Sequence, residues 1–552
     1  MESKEYTFLL TTLNSKYIHS NLAIRILYQL NKADSRLSWK EFTIKEDFNS
    51  IADFCSVHSL IAFSCYIWNI EQTLAVAKLI KEKNPHCKIL LGGPEVSYEY
   101  EDIISKSYID YIIIGEGEEP FKKILENFPS LEQIPSLVYK TNNEIKKNPV
   151  CSNYEVKFLE NVFPYINDSI EELKNKVLYI ETSRGCPYKC EFCLASMDNM
   201  VRNLPLKQIK ENLIFMMEHG KVIKFLDRTF NIRKDFTIEI FEFILQNFKK
   251  GNIFQFEITA DILHPDIIKY IQEKVPKSLF RFEIGIQTVN QKANLEVNRK
   301  QNFDKTKAVI DQVRNHVELH LDLIVGLPFD YWSDIKYSFE EVFKIFAPEL
   351  QLGFLKFLKG TPVKAKHKNH GYIFDAKSPY QIIRSNYLSE KELHQITLLE
   401  HALEIYWNKK RAPETLKYIT SKYGSFDFLL ELGQRFHKHY LLHKHSLIDV
   451  YDNLINYVSE KYSHDLYLKE MIAIEYHLCA KIKPQNRYIG EIDYKQKKKI
   501  IVSNKWDNQN FSYLIIDTKT NIKEHFTKGN IQENYEGLAI QYNGRDVPKV
   551  MA

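Results

Sequence analysis

The sequence predicts an α/β protein: a doubly wound, Rossmann-like parallel sheet, then a partial (β/α)6 TIM-like barrel, then a mostly helical C-terminal region. Two observations predict this class. Apolar runs alternate with helical segments over the first 125 residues and again over residues 177–357, and the pattern from about residue 378 to residue 481 is helical. Strands that are apolar along their whole length are typical of parallel sheets covered by helices on both faces. At 552 residues the chain is also too long for a single hydrophobic core.

The doubly wound domain is predicted to span residues 1–130. Its strands are predicted within YTFLLTTLN, SLIAFSCYIW, KILLGGPEVS and YIDYIIIGEGEEPF, and a ligand is expected outside their carboxyl ends. Any one of these loops could equally be an ordinary turn, but glycines at several of them would let the backbone approach a ligand closely. No G-x-G-x-x-G follows the first strand, so a nicotinamide or flavin nucleotide is not indicated. The candidate ligand-binding residues at this edge are Asn14, Ser64, Trp68, Gly92, Gly93, Glu95, Gly115 and Gly117.

Four further regions are expected after this domain. Residues 131–175 are a predicted linker containing a small hairpin, and residues 176–370 are the predicted partial barrel. Residues 371–481 are expected to form a helical domain, and residues 482–552 a mixed, lysine-rich tail region. The six barrel strands are predicted at Val177–Glu181, Ile223–Asp227, Phe254–Thr259, Phe280–Ile286, Leu319–Val325 and Leu350–Phe357.

The composition excludes several classes of protein. A formal net charge of +4 gives no reason to expect a nucleic-acid partner. The lysines between Lys495 and Lys499 are interpreted as solvated charge, with an acidic carrier or nucleic acid as the alternative partner. No apolar run reaches the roughly 20 residues that a transmembrane segment needs, and the N-terminus has no cleavable signal architecture. The protein is therefore expected in the cytoplasm.

Three of the eight cysteines are clustered, in the stretch ETSRGCPYKCEFC. The other five, Cys55, Cys65, Cys87, Cys151 and Cys479, are scattered and are expected to be reduced and buried. Cys186, Cys190 and Cys193 have the spacing Cys-x3-Cys-x2-Cys, which indicates metal binding. Structural zinc needs four ligands, and no second pair of cysteines lies nearby. An iron–sulfur cubane held at three corners suits the spacing better and would leave one iron open, with zinc as the alternative.

The motif CPYKCEFC, with the aromatic Phe192 before its last cysteine, resembles the signature of the radical S-adenosylmethionine superfamily. The resemblance implies a 4Fe-4S cluster on the three cysteines, with S-adenosyl-L-methionine as the ligand of the open iron. It also implies that the aromatic of the motif, residues at the barrel strand ends and the cation at Arg299 bind this co-substrate. The full set is Phe192, Asp227, Arg228, Thr259, Gln287, Arg299, Gly326 and Pro328. Each polar member of the set could equally be a strand cap or a member of a salt bridge. Asp227 stands where many relatives have a Gly-Gly-Glu motif, and is expected to supply the carboxylate for the methionyl amine.

The doubly wound domain ahead of the barrel resembles the cobalamin-binding branch of that superfamily. The resemblance rests on SCYIWN, GGPEVS and IIGEGEEPF and implies a bound cobalamin. The D-x-H-x-x-G motif that supplies a cobalt ligand in many relatives is absent, and His19 is the nearest candidate. Binding without a protein imidazole, and a degenerate domain that binds no corrin, are the alternatives.

The resemblance implies a methyltransferase that acts on an unactivated carbon through a 5'-deoxyadenosyl radical. One alternative is a cobalamin-associated enzyme that catalyses a rearrangement, cyclisation or redox reaction without methylation. Another is a sensor whose cluster or cobalamin only reports. The expected partners are a small-molecule, lipid or peptide substrate and a reductant of the flavodoxin or ferredoxin type.

Overall fold

A computed structural model describes residues 6–141, 144–150, 156–528 and 537–551 of the chain. The chain divides into two compact units, residues 1–331 with 353–388 and residues 332–352 with 389–552. Cys151 lies outside the described residues. The other scattered cysteines are free thiols, of which Cys55, Cys65 and Cys87 are buried and Cys479 is partly exposed.

The first unit begins with a seven-stranded sheet in the order β2-β1-β3-β4-β5-β6-β7. The first five strands in this order are parallel, which is the doubly wound arrangement that the sequence predicts. β1 and β3 are buried along their whole length because helices cover both faces of the sheet. The elements are β1 (Phe8–Asn14), α1 (Leu22–Asn31), β2 (Leu37–Thr43), α2 (Phe48–Cys55), β3 (Leu60–Ser64), α3 (Ile70–Lys83), β4 (Lys88–Gly92), α4 (Glu101–Ile104), β5 (Tyr111–Ile113), α5 (Glu118–Asn127), β6 (Leu137–Thr141) and β7 (Glu144–Lys147).

The predicted hairpin of the linker extends this sheet. β6 pairs antiparallel with β5, with Tyr111 opposite Tyr139, and β7 pairs antiparallel with β6. The polar turn of the hairpin, at residues 142–143, lies outside the described residues. A short helix, α6 (Ile170–Leu173), precedes the second sheet. Just before α6, Asp168 accepts a hydrogen bond from the buried Arg25 of α1 at 2.5 Å. Arg25 also pairs with Glu41, so the linker is fixed to the doubly wound domain.

The second sheet is the predicted partial barrel, with six strands in the order β15-β14-β13-β12-β11-β8. Burial alternates along β12 and β13, with apolar side chains toward the helices and mostly polar side chains toward the barrel interior. The last two residues of β15 belong to the first unit. The elements are β8 (Val177–Ile180), β9 (Ser183–Arg184), β10 (Arg202–Asn203), α7 (Leu206–His219), β11 (Val222–Phe225), α8 (Lys234–Asn247), β12 (Ile253–Ile258), α9 (Pro265–Lys274), β13 (Phe280–Gln287), α10 (Gln291–Glu296), α11 (Phe303–Val313), β14 (Glu318–Val325), α12 (Trp332–Phe343) and β15 (Glu349–Phe354).

The doubly wound domain meets the barrel within the first unit, on the β8 side and on the segment after β15. His19 forms a parallel bridge with Val177 at the start of β8. The segment after β15 contains α13 (Pro362–Ala365) and a two-stranded ribbon of β16 (Ile373–Phe374) and β17 (Ile382–Arg384). Lys364 in this segment pairs with Glu99 of the doubly wound domain at 2.5 Å. The carboxyl edge of the first sheet therefore faces the barrel.

The second unit is helical and ends in a small antiparallel sheet. The prediction of helix from residue 378 was wrong over its first part, because helix begins only at Glu390, after a capping box formed by Ser389 and Glu392. Residues 378–388 instead include β17, which pairs with β16. The elements of this unit after α12 are α14 (Glu390–Leu403), α15 (Pro413–Lys422), α16 (Phe426–His439), α17 (Leu447–Lys461), α18 (Leu466–Leu478), α19 (Tyr494–Ser503), β18 (Ser512–Ile516), α20 (Ile522–Thr527), β19 (Leu538–Tyr542) and β20 (Lys549–Met551). Among the described residues, no helix combines the length and the apolar character that a membrane crossing requires.

Candidate active site

The three clustered cysteines line one cavity directly after the first barrel strand. This cavity, called here the cysteine cavity, has a volume of about 250 Å3. Cys186 and Cys190 are buried and Cys193 is partly exposed. The lining residues are Cys186, Tyr188, Cys190, Phe192, Cys193, Ser196, Arg228, Thr229, Glu257, Ile258, Thr259, Glu283, Gly285, Gln287, Arg299, Lys300, Gln301 and Asp322.

The loop that carries the cysteines is held by its own hydrogen bonds. The Cys186 amide donates to the Asp198 carbonyl at 2.9 Å, and the Ser196 hydroxyl donates to the carbonyls of Cys190 (2.9 Å) and Cys193 (2.7 Å). Gly185 has φ +86°, and a Cβ at this position would lie 2.3 Å from the Met200 carbonyl oxygen. The loop closes tightly enough there that only glycine fits, and this fixes the direction in which the thiols point.

The side chains that line this cavity are chemically suited to hold an iron–sulfur cluster. It offers three thiols on one short loop, and the Arg299 guanidinium lies 3.8 Å from the Cys190 sulfur. Within the described part of the chain, no group of three or more His, Cys, Asp or Glu side chains is arranged around a point that could hold a metal ion. The thiols thus line a shared space without converging on one centre.

Five of the eight residues predicted to bind the co-substrate line the cysteine cavity: Phe192, Arg228, Thr259, Gln287 and Arg299. Gln287 has φ +69°, and its buried Oε1 atom has no hydrogen-bond partner among the described residues. An unpaired acceptor in a buried position is costly unless a ligand satisfies it. Arg299 donates to the Gln301 side chain at 3.0 Å and to the Gly285 carbonyl, so its guanidinium is fixed beside Cys190.

The other three predicted residues do not line this cavity. Asp227 is buried and accepts hydrogen bonds from the Thr182 amide (3.0 Å), the Thr182 hydroxyl (2.7 Å) and the Ser183 hydroxyl (2.5 Å). Burial raises the pKa of Asp227 to about 6, in spite of these donors. Gly326 and Pro328 are buried, and the Gly326 carbonyl accepts from the Tyr372 hydroxyl at 2.8 Å.

Charged residues of the barrel interior line the cavity as well. Glu257 and Glu283 come from β12 and β13, and Asp322 comes from β14. Glu283 is held by the Lys224 ammonium at 2.8 Å, and burial raises the pKa of Glu257 above its usual value. The sequence feature that predicts these three carboxylates is the period-two spacing of a strand, which places alternate residues on one face of the sheet. Asp322 follows from that spacing within LDLIVGLP.

A second cavity, of about 470 Å3, lies at the carboxyl edge of the doubly wound sheet and is called here the sheet-edge cavity. Five of the eight residues predicted at this edge line it: Ser64, Gly92, Gly93, Gly115 and Gly117. Its walls also include Tyr66 of SCYIWN, Glu116 and Glu118 of IIGEGEEPF, and apolar residues of α1. The loops were predicted to lie at this edge, whereas nothing in the sequence predicted a contribution from α1. From the barrel side it is lined by Glu181, Ser183, Arg184, Gly185, Ala195, Asp198, Leu226 and Arg228.

The remaining three predicted edge residues do not line the sheet-edge cavity and are held by other side chains or backbone groups. Asn14 donates to the His19 carbonyl at 2.9 Å, and Trp68 stacks on Tyr66 with ring centroids 4.4 Å apart. Glu95 is buried, accepts from the Tyr380 hydroxyl at 2.5 Å and pairs with Lys359 at 3.1 Å. These bonds hold Glu95 toward the segment after β15.

The sheet-edge cavity fits a large ligand with polar edges, such as a corrin. Its lining mixes apolar side chains with carboxylates and backbone turns. Gly93 has φ +107°, and a Cβ there would lie 2.5 Å from the Cys65 carbonyl oxygen, so this turn stays as bare backbone. His19, the candidate cobalt ligand, does not line the cavity, and its Nδ1 lies 2.7 Å from the Tyr179 hydroxyl of the barrel.

Charged residues lie where the two cavities adjoin. Arg228 lines both cavities, and its guanidinium lies 3.5 Å from both carboxylate oxygens of Glu257. At the rim of the sheet-edge cavity, Arg184 pairs with Glu118 and with Glu181, each at 2.7 Å. Arg202 pairs with Glu116 at 2.8 Å. The pairs Arg184–Glu118 and Arg202–Glu116 link the doubly wound domain to β9 and β10, on either side of the cysteine loop.

Comparison with protein families assigns the two α/β domains. Residues 12–125 match the B12 binding domain, and residues 180–342 match the radical SAM superfamily. Residues 368–546 match a family described as a protein of unknown function, DUF4080.

Individual relatives agree with this assignment. The chain is 29% identical over 156 residues to the cobalamin-dependent radical SAM methyltransferase TokK of Streptomyces tokunonensis, which is 26% of this chain and 23% of TokK. The match thus spans about a quarter of the length of that relative.

Two solved structures share the fold. The structure of the cobalamin-dependent S-adenosylmethionine radical enzyme OxsB with aqua-cobalamin bound superposes with a TM-score of 0.60, at 14% identity over 85% of this chain and 84% of that one. The radical S-adenosylmethionine methyltransferase TsrM from Kitasatospora setae superposes with a TM-score of 0.56, at 11% identity over 67% and 76% of the two chains. At these identities the likeness shows the fold.

Proposed function

We propose that this protein is a cobalamin-dependent methyltransferase that acts on an unactivated carbon. The chain carries a B12-binding domain followed by a radical SAM domain, and so belongs to the cobalamin-binding branch of the radical S-adenosylmethionine superfamily. The observation that carries the proposal is the pair of cavities in one unit. One is lined by the three cysteines, the other by the glycine turns of the sheet edge, and Arg228 lines both. A substrate carbon can lie between two cofactors only where their sites adjoin.

When bound, the iron–sulfur cluster supplies the electron that splits S-adenosylmethionine, and cobalamin supplies the methyl group that the activated carbon receives. The role of the protein is to bind and orient these groups. Cys186, Cys190 and Cys193 hold the cluster in this proposal, and the Arg299 guanidinium adds positive charge beside the Cys190 sulfur.

The polar residues of the cysteine cavity suit S-adenosylmethionine. The buried Oε1 of Gln287 can accept a hydrogen bond from the methionyl ammonium or from a ribose hydroxyl. Glu257, Glu283 and Asp322 place negative charge near a co-substrate that carries a sulfonium and an ammonium group. Asp227 acts in this proposal through the loop, because its carboxylate holds the backbone and hydroxyl groups of Thr182 and Ser183 just before the cysteines.

The residues of the sheet-edge cavity suit a corrin held without a protein imidazole. Backbone turns at Gly92–Gly93 and Gly115–Gly117 can approach the macrocycle closely, and Ser64, Tyr66 and Glu118 offer hydrogen-bonding groups to its amide side chains. Walls from both domains line this cavity and would reduce the contact of water with a reactive carbon centre.

The substrate and the reductant belong to the proposal. The substrate is a small molecule, a lipid or a peptide, and the electron comes from a carrier of the flavodoxin or ferredoxin type. A rearrangement, cyclisation or redox reaction without methylation, and a sensor, are the competing functions, and the products of the reaction distinguish them.

The test uses protein purified without oxygen, reconstituted with iron and sulfide, loaded with hydroxocobalamin and incubated with S-adenosylmethionine and dithionite. A methyltransferase is expected to form both 5'-deoxyadenosine and S-adenosylhomocysteine. Formation of 5'-deoxyadenosine alone would support a reaction without methylation, and the absence of both products would support a sensor. Cys190→Ala should abolish 5'-deoxyadenosine formation, whereas Cys479→Ala, a thiol that lines neither cavity, should retain it.

A further inference from the structure

We propose that an acidic one-electron carrier protein docks on a cationic surface beside the cysteine loop, formed by the loop that follows β8, by α10 and by the residues just after α10. This inference rests on the proposed function, because radical cleavage of S-adenosylmethionine consumes one electron. The carrier is oxidised by one electron, the C5'–S bond breaks, and the products are methionine and a 5'-deoxyadenosyl radical. The surface is called here the carrier face and is defined by Lys189, Lys292 and Lys300.

The three lysines of the carrier face are exposed. Among the residues that the structure describes, none of the three has a carboxylate partner. The Lys292 ammonium lies over the Phe329 ring at 4.0 Å from its centroid. Two exposed apolar side chains occur in the same part of the barrel, Leu295 on α10 at 54% exposure and Ile262 in the turn after β12 at 39%. Exposed cations can steer the encounter with a negatively charged partner, and weak electron-transfer complexes bury only small interfaces.

The carboxylates near these lysines are already engaged. Glu191 is buried and takes the Lys366 ammonium and the Asn298 amide, each at 2.6 Å. Glu296 lies 3.3 Å from the His370 imidazole and is partly exposed, so its charge offsets one of the three lysines. At the start of α11, the exposed Asp304 is offset by its neighbour Lys305. The carrier face therefore keeps a positive excess, although the net charge of the whole chain is only +4.

The carrier face is close to the cysteines. Lys189 directly precedes Cys190 in the chain, and Lys300 follows Arg299, whose guanidinium lies 3.8 Å from the Cys190 sulfur. The Glu191 amide donates to the Val297 carbonyl at 3.0 Å, which joins the loop after β8 to the loop after β13. Since electron transfer slows steeply with distance, a carrier that delivers electrons to this loop must dock beside it.

The doubly wound domain leaves this part of the barrel uncovered by its ion pairs. Those pairs fall on Arg184 and Arg202 near β8 and on Lys359 and Lys364 after β15. The cationic surface is thus available to a second protein. A negatively charged partner would be steered toward it, and the encounter would weaken as salt screens the charges.

A second exposed lysine group, Lys495 and Lys498 on α19, offers a matched control. It belongs to the other unit of the chain and lines neither cavity. The double variant Lys495→Glu/Lys498→Glu changes the net charge by the same amount as Lys189→Glu/Lys292→Glu. If bulk charge attracts the carrier, the two double variants should weaken its binding by similar amounts. If the α19 lysines attract it, Lys495→Glu/Lys498→Glu should weaken binding more than Lys189→Glu/Lys292→Glu.

The first experiment measures binding of an acidic bacterial flavodoxin to the protein as isolated, by calorimetric titration at 50 mM and 300 mM salt. Wild type is expected to bind more tightly at the lower salt concentration. Lys189→Glu/Lys292→Glu should weaken binding at 50 mM salt at least tenfold, whereas the α19 double variant should stay within about twofold of wild type. Equal binding by all three proteins would overturn the inference.

The second experiment compares two electron donors in the 5'-deoxyadenosine assay. With reduced flavodoxin, the carrier-face variant should react at least tenfold more slowly than wild type, and with dithionite it should stay within about twofold. A loss with both donors would contradict docking and indicate a damaged site. If wild type forms no 5'-deoxyadenosine even with dithionite, the proposed function fails, whatever the binding titration gives.

Discussion

Asp227 shows how a single buried carboxyl group can position the cysteine loop without lining the cavity. It accepts three hydrogen bonds from Thr182 and Ser183, four to three residues before Cys186. Its pKa is nevertheless raised to about 6, because burial disfavours the charged form more than the donors favour it. The folded-state pKa is therefore higher than that of a free aspartate, about 3.9.

This shift predicts a pH-dependent stability. The folded state binds more protons than the unfolded state between about pH 4 and pH 6, so the stabilisation from protonated Asp227 is lost as the pH rises through that window. Asp227→Asn does not titrate, so its stability should rise relative to wild type by about 1.4 kcal/mol for each pH unit there and level off above pH 7. Thermal melts between pH 4.5 and pH 7.5 measure this, with the exposed Asp304→Asn as control. A constant difference between Asp227→Asn and wild type would contradict it.

The sequence predicted which residues line the cysteine cavity better than it predicted the hydrogen-bond partners of individual side chains. Arg228, Thr259 and Gln287 line the cysteine cavity because strand ends of a parallel barrel meet at one face. Arg299 reaches the same cavity from the segment after α10. Asp227 and Glu95 were predicted as ligand-binding residues, but each has buried hydrogen-bond donors that come from distant parts of the chain. Such tertiary partners leave no local pattern, so both assignments as direct ligands remain predictions.

The turn after β4 shows how an element shapes a cavity. Gly93 lines the sheet-edge cavity at φ +107°, and its backbone lies against Cys65, at the end of β3. The Glu95–Lys359 and Glu95–Tyr380 contacts hold the other side of the turn. The turn is therefore fixed from both sides, and a side chain at Gly93 has no room.

Gly93→Ala is expected to destabilise the protein more than Gly251→Ala. Both glycines have a similar positive φ, +107° and +97°, but a Cβ at Gly251 meets nothing within 4 Å. Each substitution incurs the backbone strain, and the contact with Cys65 should add about 1–3 kcal/mol at Gly93 alone. Denaturant unfolding measures the difference, and corrinoid retained after gel filtration should fall only for Gly93→Ala. Equal losses of stability in the two variants would contradict this account.

Elements were predictable where the pattern was long and apolar. The strands β1, β3, β4, β5 and β8 lie within the predicted runs. Each of the other five barrel strands overlaps its predicted run and begins or ends one residue outside it. The segment 378–388 was predicted as helix and instead contains β17, because its three-residue strand is stabilised by pairing with β16. A strand this short carries too few residues to show a period of its own.

Within the first unit, the doubly wound domain and the barrel are joined by partly buried ion pairs. Arg184 lies between Glu118 and Glu181, and its side chain is only 14% exposed. At the rim of the sheet-edge cavity, the Arg202 guanidinium also pairs with both Asp198 and Glu116. These contacts keep the sheet-edge cavity next to the cysteine loop, which the proposed chemistry requires.

Arg184→Ala should therefore destabilise the first unit by about 3 kcal/mol, because it leaves partly buried carboxylates without a cation. The exposed pair Lys78–Glu82, 4.0 Å apart, is the control, and Lys78→Ala should cost less than about 0.5 kcal/mol. Limited proteolysis between the two domains should also become faster in Arg184→Ala alone. Similar stability losses in the two variants would mean that the rim ion pairs do not hold the domains together.

The most direct test of the account concerns the three cysteines and the ligand they leave room for. Protein reconstituted without oxygen is reduced, and its electron paramagnetic resonance spectrum is recorded while S-adenosylmethionine is added. The account predicts a 4Fe-4S signal that changes shape and saturates with the added S-adenosylmethionine, and that is lost in Cys186→Ala. A spectrum that does not respond to S-adenosylmethionine, or protein that takes up zinc and no iron, would contradict it.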